Sequence, residues 1–277
     1  MVGPMALDLS AVHAAAAAQR ERVTPEMAFS ITKSVVSTVA GIAFDRGLIS
    51  DPHRPVADTL DLPELAESTI TWHHLLQQTS EWDGELWGKP AWLDGRRRGG
   101  TPGSRWEHND VRVNLLCLAL THLFARPLPT VLDEHVLGPL GASSTWSWHG
   151  YRDSMTTIDG ETVPVVSGGA HWGGGLRISA GDLALLGRLY LRKGRQLLSE
   201  SWIERSWTPC PHNADYGYLW WLNGFLSAPP TGRFARGNAD QHLLWIDPDR
   251  DLVIVSRWGQ RVEELVRAVS DAVPVAR

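Results

Sequence analysis

The chain has 277 residues, 43% of them hydrophobic and 21% charged, with a formal net charge of −5. That length accommodates one large domain or two lobes sharing a core. The acidic balance argues against nucleic acid or an anionic membrane as the main partner, because neither is attracted to such a surface.

The N-terminal stretch "MVGPMALDLSAVHAAAAAQRER" is rich in alanine but has no basic start, and its apolar run lacks the length of a signal or membrane helix, so a cytoplasmic location is expected. Within it, residues 9–22 read as helix. Further helical patterns cover 32–46, 72–78, 111–125, 129–137, 179–193, 199–206 and 261–273, each closed by Gly, Pro or a polar turn. Between them, Arg96-Arg97-Arg98 in "DGRRRGGTPG" reads as a solvated loop. Cys117 in "NLLCLAL" and Cys210 in "TPCPH" form neither a disulfide framework nor a zinc pattern, and read as a buried thiol and a loop thiol. Strand-like runs come late: 216–223, 241–246 and 251–258, the last two joined by the turn "DPDR". This order predicts one α/β (α+β) domain, an antiparallel sheet flanked by helices. A helical lobe over about 48–170 is inserted into an α/β lobe of about 1–47 and 171–277.

The helix opened by "FSITKS" carries Ser30 three positions before Lys33, which puts the ammonium beside the hydroxyl. Lysine is scarce here: Lys33, Lys89 and Lys193 are the only three among 26 Lys+Arg. Flanked by Ile31, Val35, Val36 and Val39 and close to a helix N-terminus, Lys33 is expected in its neutral form, able to take a proton from serine as a guanidinium cannot. The pair alone leaves a second reading open, in which Ser30 caps the helix and Lys33 snorkels to water. Gly47 stands where a C-terminal cap belongs.

From about Met27 to Trp258 the sequence resembles the serine β-lactamase and penicillin-binding-protein-like hydrolases, in the branch of class C β-lactamases, related esterases and 6-aminohexanoate-dimer hydrolases. Five segments carry the resemblance in order: "FSITKS", "ITWHHLLQQTSEWDG", "PGSRWEHNDVRVNLL", "GGAHWGGGLRISAGDLALLGRLYLRKG" and "FARGNADQHLLWIDPDRDLVIVSRW". It implies Ser30 as the acylated nucleophile, Lys33 as the base beside it, and the backbone N–H groups of Ser30 and Asn238 as the oxyanion hole.

Two departures stand out. Where relatives have Tyr, any residue, then Asn, this chain has His108, Asn109 and Asp110, and its four tyrosines (Tyr151, Tyr190, Tyr216, Tyr218) lie elsewhere in sequence. An imidazole at 108 can move a proton at neutral pH, whereas a loop histidine there would mark lost activity. Asp110 stands where an N-cap for helix 111–125 belongs. The third motif is reduced to Ala235, Arg236 and Gly237: glycine permits close approach to the strand, and Arg236 suits a substrate carboxylate or a surface cross-strand position.

His73, His74, Asp83 and His171 have no metal-ligand spacing, and "HWGGGLRIS" lacks the end of a phosphate loop, so neither metal, nucleotide nor other cofactor is expected. Trp82, Trp87 and Trp172 fall in motif-bearing loops and are candidates to line an apolar cleft. The expected activity is cleavage of a small ester or amide by a two-step acyl-enzyme route, with an acyltransferase or a ligand-binding relic as alternatives. Neither nucleic acid nor membrane is expected as a partner. Relatives place strands before the nucleophile helix that this sequence lacks, so an exposed sheet edge and a homodimer, or a partner covering that edge, are expected.

Overall fold

The computed structural model describes residues 24–94, 99–169, 174–222 and 229–276. The expected helix over 9–22, the triplet Arg96-Arg97-Arg98, His171 and Trp172 lie outside the described residues.

Strand β1 (Glu26–Met27) leads through a 3-10 turn (Phe29–Ile31) into α1 (Thr32–Asp45). Then come α2 (Trp72–Leu76), a minimal hairpin of β2 (Glu85–Leu86) and β3 (Lys89–Pro90), α3 (Ala91–Asp94), α4 (Asp110–Phe124) and α5 (Leu128–Leu132). A second hairpin, β5 (Met155–Ile158) with β6 (Glu161–Pro164), follows β4 (Ser147–His149). The remainder is β7 (Gly175–Ile178), α6 (Ala180–Leu191), α7 (Glu200–Ser206), β8 (Trp221–Leu222), β9 (Arg233–Gly237), β10 (His242–Asp247), β11 (Leu252–Ser256) and α8 (Val262–Ala272).

Among the described residues each expected helix is present, α3 is an addition to them, and 129–137 is an α-helical turn continued by a π-helical one over Asp133–Leu137. The strands are more numerous than the sequence suggests. β9 pairs with β10 in the register Trp245↔Phe234 and Leu244↔Ala235, although Arg233, Arg236 and Gly237 dilute its apolar pattern. The aromatic run at 216–223 yields only the two residues of β8 within the described chain, because Tyr216, Tyr218, Leu219 and Trp220 are core side chains of a loop.

The main sheet is antiparallel, in the order β11-β10-β9-β8, and a second sheet runs β1-β7-β4. On one face α6 packs on β10 and β11. Val262 and Val266 of α8, one turn apart, close the other face over Phe234, Leu243 and Trp245. α1 is buried from Thr32 to Ala43 and lies against α4, itself buried from Asp110 to Thr121. A helix buried on every side needs its polar groups satisfied within the protein: Ser34 donates to the Leu219 carbonyl at 2.6 Å and Thr38 to the Ser34 carbonyl at 3.0 Å. Arg257 joins the two sheets, donating from Nη2 to the carbonyls of Glu26 (3.1 Å) and Ile178 (2.5 Å), which fixes the strand just before Ser30.

Among the described residues β11 pairs only with β10, and its Leu252, Val253, Ile254 and Val255 are half-buried. No single described helix is long and apolar enough to cross a membrane.

Candidate active site

Ser30 sits in the 3-10 turn rather than on a helix cap: neither that turn nor α1 carries a side-chain capping bond at its N-terminus. The turn is clamped from both sides. Ala28 N–H donates to the Leu176 carbonyl of β7 at 2.7 Å, and Leu176 N–H donates to Thr32 Oγ1 at 3.2 Å. On the other side Gly237 of β9 lies so near that a β-carbon there would meet Phe29 Cβ at 2.8 Å and the Ala28 carbonyl at 3.0 Å. The glycine expected to admit substrate therefore also admits the nucleophile's own backbone. Phe29 takes a left-handed φ of 52°, a conformation costly for a non-glycine residue and found where surrounding structure imposes it. Its ring is held by His242 and Trp258, with centroids 4.8 and 5.9 Å away.

Lys33 Nζ donates to Ser30 Oγ at 3.0 Å, which settles the geometry of the pair against the capping and snorkelling reading. The lysine is not alone, however. Its ammonium also forms a salt bridge with Asp110, and the two side chains are only 3% and 2% exposed. The expectation that Lys33 stands among apolar neighbours only is thus corrected: a carboxylate is buried beside it. Asp110 is likewise not the cap of its helix. Asn109 is, its side chain accepting from Arg112 N–H at 2.9 Å, and this frees the Asp110 carboxylate, in the first turn of α4, to face Lys33.

The backbone at Gly168 and Gly169 closes over this pair. A β-carbon on Gly169 would fall 2.8 Å from the Asp110 carboxyl carbon, so only glycine lets the chain pass there. Ser167 Oγ donates to the Gly169 carbonyl at 2.5 Å, and Asn114 Oδ1 accepts from Gly168 N–H at 2.9 Å, which fixes the shelf. Tyr151 lies behind it, its hydroxyl accepting from Asn114 Nδ2 at 2.9 Å and lying 3.1 Å from Ser167 Oγ. Burial above all, with the charge of Asp110 adding, pushes the Tyr151 hydroxyl up to about 12.

One positioning residue escaped sequence reasoning. Gln78, fully buried with φ 57°, accepts from Asn109 N–H through Oε1 at 2.5 Å and from Glu107 N–H through its carbonyl at 3.0 Å. Its Nε2 donates to the Tyr216 hydroxyl at 2.8 Å. Gln78 thereby hangs the 107–110 segment from the loop after α2. The signal was its place inside "LLQQTS", a stretch carrying the resemblance in which no single residue stood out. Glu81 and Arg105 brace the same segment through two 2.8 Å bonds, and Arg112 pairs with Glu107 at 3.1 Å. His108 is half-buried, immediately before the cap Asn109 and two residues from Asp110.

Beyond Gly237 the chain turns through three left-handed residues, Asn238, Ala239 and Asp240, and Asn238 Nδ2 donates to Gln241 Oε1 at 2.7 Å. Arg236 stacks on the Trp221 ring at 3.8 Å and pairs with Asp240 at 3.3 Å, about one-third exposed. A substrate carboxylate there would compete with Asp240. Trp82 is corrected: it is 5% exposed and belongs to the core. Trp87 is half-buried, its indole donating to the Met155 carbonyl at 3.1 Å. Among the described residues no group of His, Cys, Asp or Glu is arranged to hold a metal ion.

A family model described as Beta-lactamase matches residues 8–260. The chain belongs to the beta-lactamase family. Members of this family are serine hydrolases. A protein of Escherichia coli O157:H7 named as a D-alanyl-D-alanine carboxypeptidase is 25% identical over 194 residues, 56% of this chain and 45% of that protein. The chain thus spans less than half the length of that relative. Simvastatin synthase from Aspergillus terreus superposes with a TM-score of 0.65 at 16% identity, covering 90% of this chain and 83% of that one. A D-stereospecific amidohydrolase from Streptomyces does so with 0.64 at 17%, covering 89% and 86%. These two likenesses establish the beta-lactamase fold.

Proposed function

We propose that the protein hydrolyses a small ester or amide through an acyl-enzyme on Ser30. The observation that carries this reading is the 3.0 Å bond from Lys33 Nζ to Ser30 Oγ inside a buried, charge-paired pocket. Ser30 Oγ attacks the substrate carbonyl carbon, and its proton leaves through Lys33. The backbone N–H groups of Ser30 and Asn238 stabilise the developing oxyanion. His108 delivers a proton to the leaving group, which departs as the Ser30 ester forms. Water then attacks that ester, its proton returns through the same groups, and Ser30 is regenerated.

The replacements at His108 and Arg236 favour one other reading, a ligand-binding relic of the family. A screen of short p-nitrophenyl esters, linear amides and β-lactams, with Ser30→Ala as control, separates the two. Turnover above the Ser30→Ala background in at least one class supports the hydrolase. Its absence in all three overturns it.

A further inference from the structure

We infer that Asp110 is the terminal acceptor of the Ser30 proton, with Lys33 as the relay, charged both before attack and after it. This rests on the hydrolase reading of Ser30 and goes beyond it. Asp110 acts through Lys33 and so is a positioning and proton-holding residue rather than one that touches substrate.

Two observations carry the inference. Lys33 contacts Ser30 Oγ and the Asp110 carboxylate at once, so one nitrogen links hydroxyl to carboxylate. Both members of the pair are almost wholly buried and Gly169 closes over the carboxylate, so solvent does not compete for the proton.

The step balances. Before attack the site holds a neutral Ser30 hydroxyl, the Lys33 ammonium and the Asp110 carboxylate. Lys33 first passes one proton to Asp110, and the lone pair this leaves on Nζ accepts the hydroxyl proton as Oγ bonds to the carbonyl carbon. The carbonyl π pair moves to oxygen. The products are the tetrahedral oxyanion, an unchanged ammonium and a neutral Asp110 acid. When the leaving group departs, the acid returns its proton through Lys33, and His108 hands it on to the departing atom. Titratable groups that interact with the pair include Cys117 of α4, raised mainly by burial, and Tyr151 and Tyr216, both raised mainly by burial and further by Asp110. Each is thereby biased to keep its own proton.

The test is the pH dependence of the rate at which a short alkyl fluorophosphonate modifies Ser30, read by intact mass. Fluoride leaves without a proton, so His108 drops out. In the parent the rate should hold from alkaline pH down to the carboxylate range and fall only below about pH 5. In Asp110→Asn, Lys33 must itself lose a proton first, so the limb should move up by at least about one pH unit, with a loss of tenfold or more at pH 6. A parent rate that climbs through the alkaline range overturns the inference, because then a neutral lysine is the base. So does an Asn variant that superimposes on the parent or is faster at neutral pH. If the Asn variant does not fold, the parent profile alone decides. Modification of Ser30 in the parent upholds the hydrolase reading whichever way the profiles fall, and its absence at every pH overturns both.

Discussion

A β-carbon placed on Gly237 would fall 2.9 Å from the backbone nitrogen of Ser30, closer than side-chain carbons approach backbone in folded proteins. The obstruction is backbone on both sides, so a flexible neighbour cannot swing away. Gly237→Ala should destabilise the fold by about 1–3 kcal/mol, the range for overpacking a close contact. It should also lower turnover more than binding, since it displaces an oxyanion donor. Thermal denaturation beside steady-state kinetics checks this, and an alanine variant with parental kcat and Tm would show that β9 yields there.

The role of His108 is read from leaving groups. If it protonates the departing atom, His108→Ala should lose about 10²–10⁴-fold on alkyl esters or amides. It should lose far less on p-nitrophenyl esters, whose leaving group needs no proton. His108→Tyr should retain activity on both. Equal losses across the two substrate types would make His108 a structural residue.

Much of the site was legible in the sequence because its first motif is local: Ser30 and Lys33 meet through helix geometry alone. The partner of Lys33 was not, since Asp110 and Asn109 are adjacent and both suit a cap. Only the three-dimensional placement of Gln78 and α4 assigns the cap to one and the ion pair to the other. β9 was hidden for a similar reason, Arg236 being answered by Trp221 and Asp240 and Arg233 by the Trp207 ring and the Gly232 carbonyl rather than by any pattern along the strand. Trp82 read as a cleft residue because its loop carries a motif, yet that loop turns its indole into the core.

Acid stability should reflect two histidines. Burial, with His53 and His74 adding, lowers His73 to about 4, and its Nδ1 lies 2.6 Å from the Tyr218 hydroxyl. Burial, with Arg257 adding, lowers His242 to about 4. The unfolded chain, titrating near 6.5, binds these protons first. Stability should therefore be level above about pH 6.5 and fall as pH drops from there towards 4. Urea midpoints at pH 8, 6.5 and 5 measure the slope, and His73→Gln should reduce it. Identical midpoints from pH 7 to 5 would contradict this account.

Self-association is expected from the main sheet. Among the described residues β11 offers one edge with four consecutive half-buried apolar residues and no charged one among them, a template for a second strand. Light scattering at micromolar concentration should report a dimer, and a monomer would count against that role for the edge.

The central claim, that Lys33 activates Ser30 for acyl transfer, is tested most directly by mapping a fluorophosphonate adduct on the parent and on Lys33→Arg. Arginine keeps the charge that Asp110 pairs with but does not release a proton. The account predicts a stoichiometric adduct on Ser30 in the parent, none in Ser30→Ala, and at least about a hundredfold slower labelling in Lys33→Arg. Labelling of Lys33→Arg at the parental rate, or an adduct on any residue other than Ser30, would contradict it.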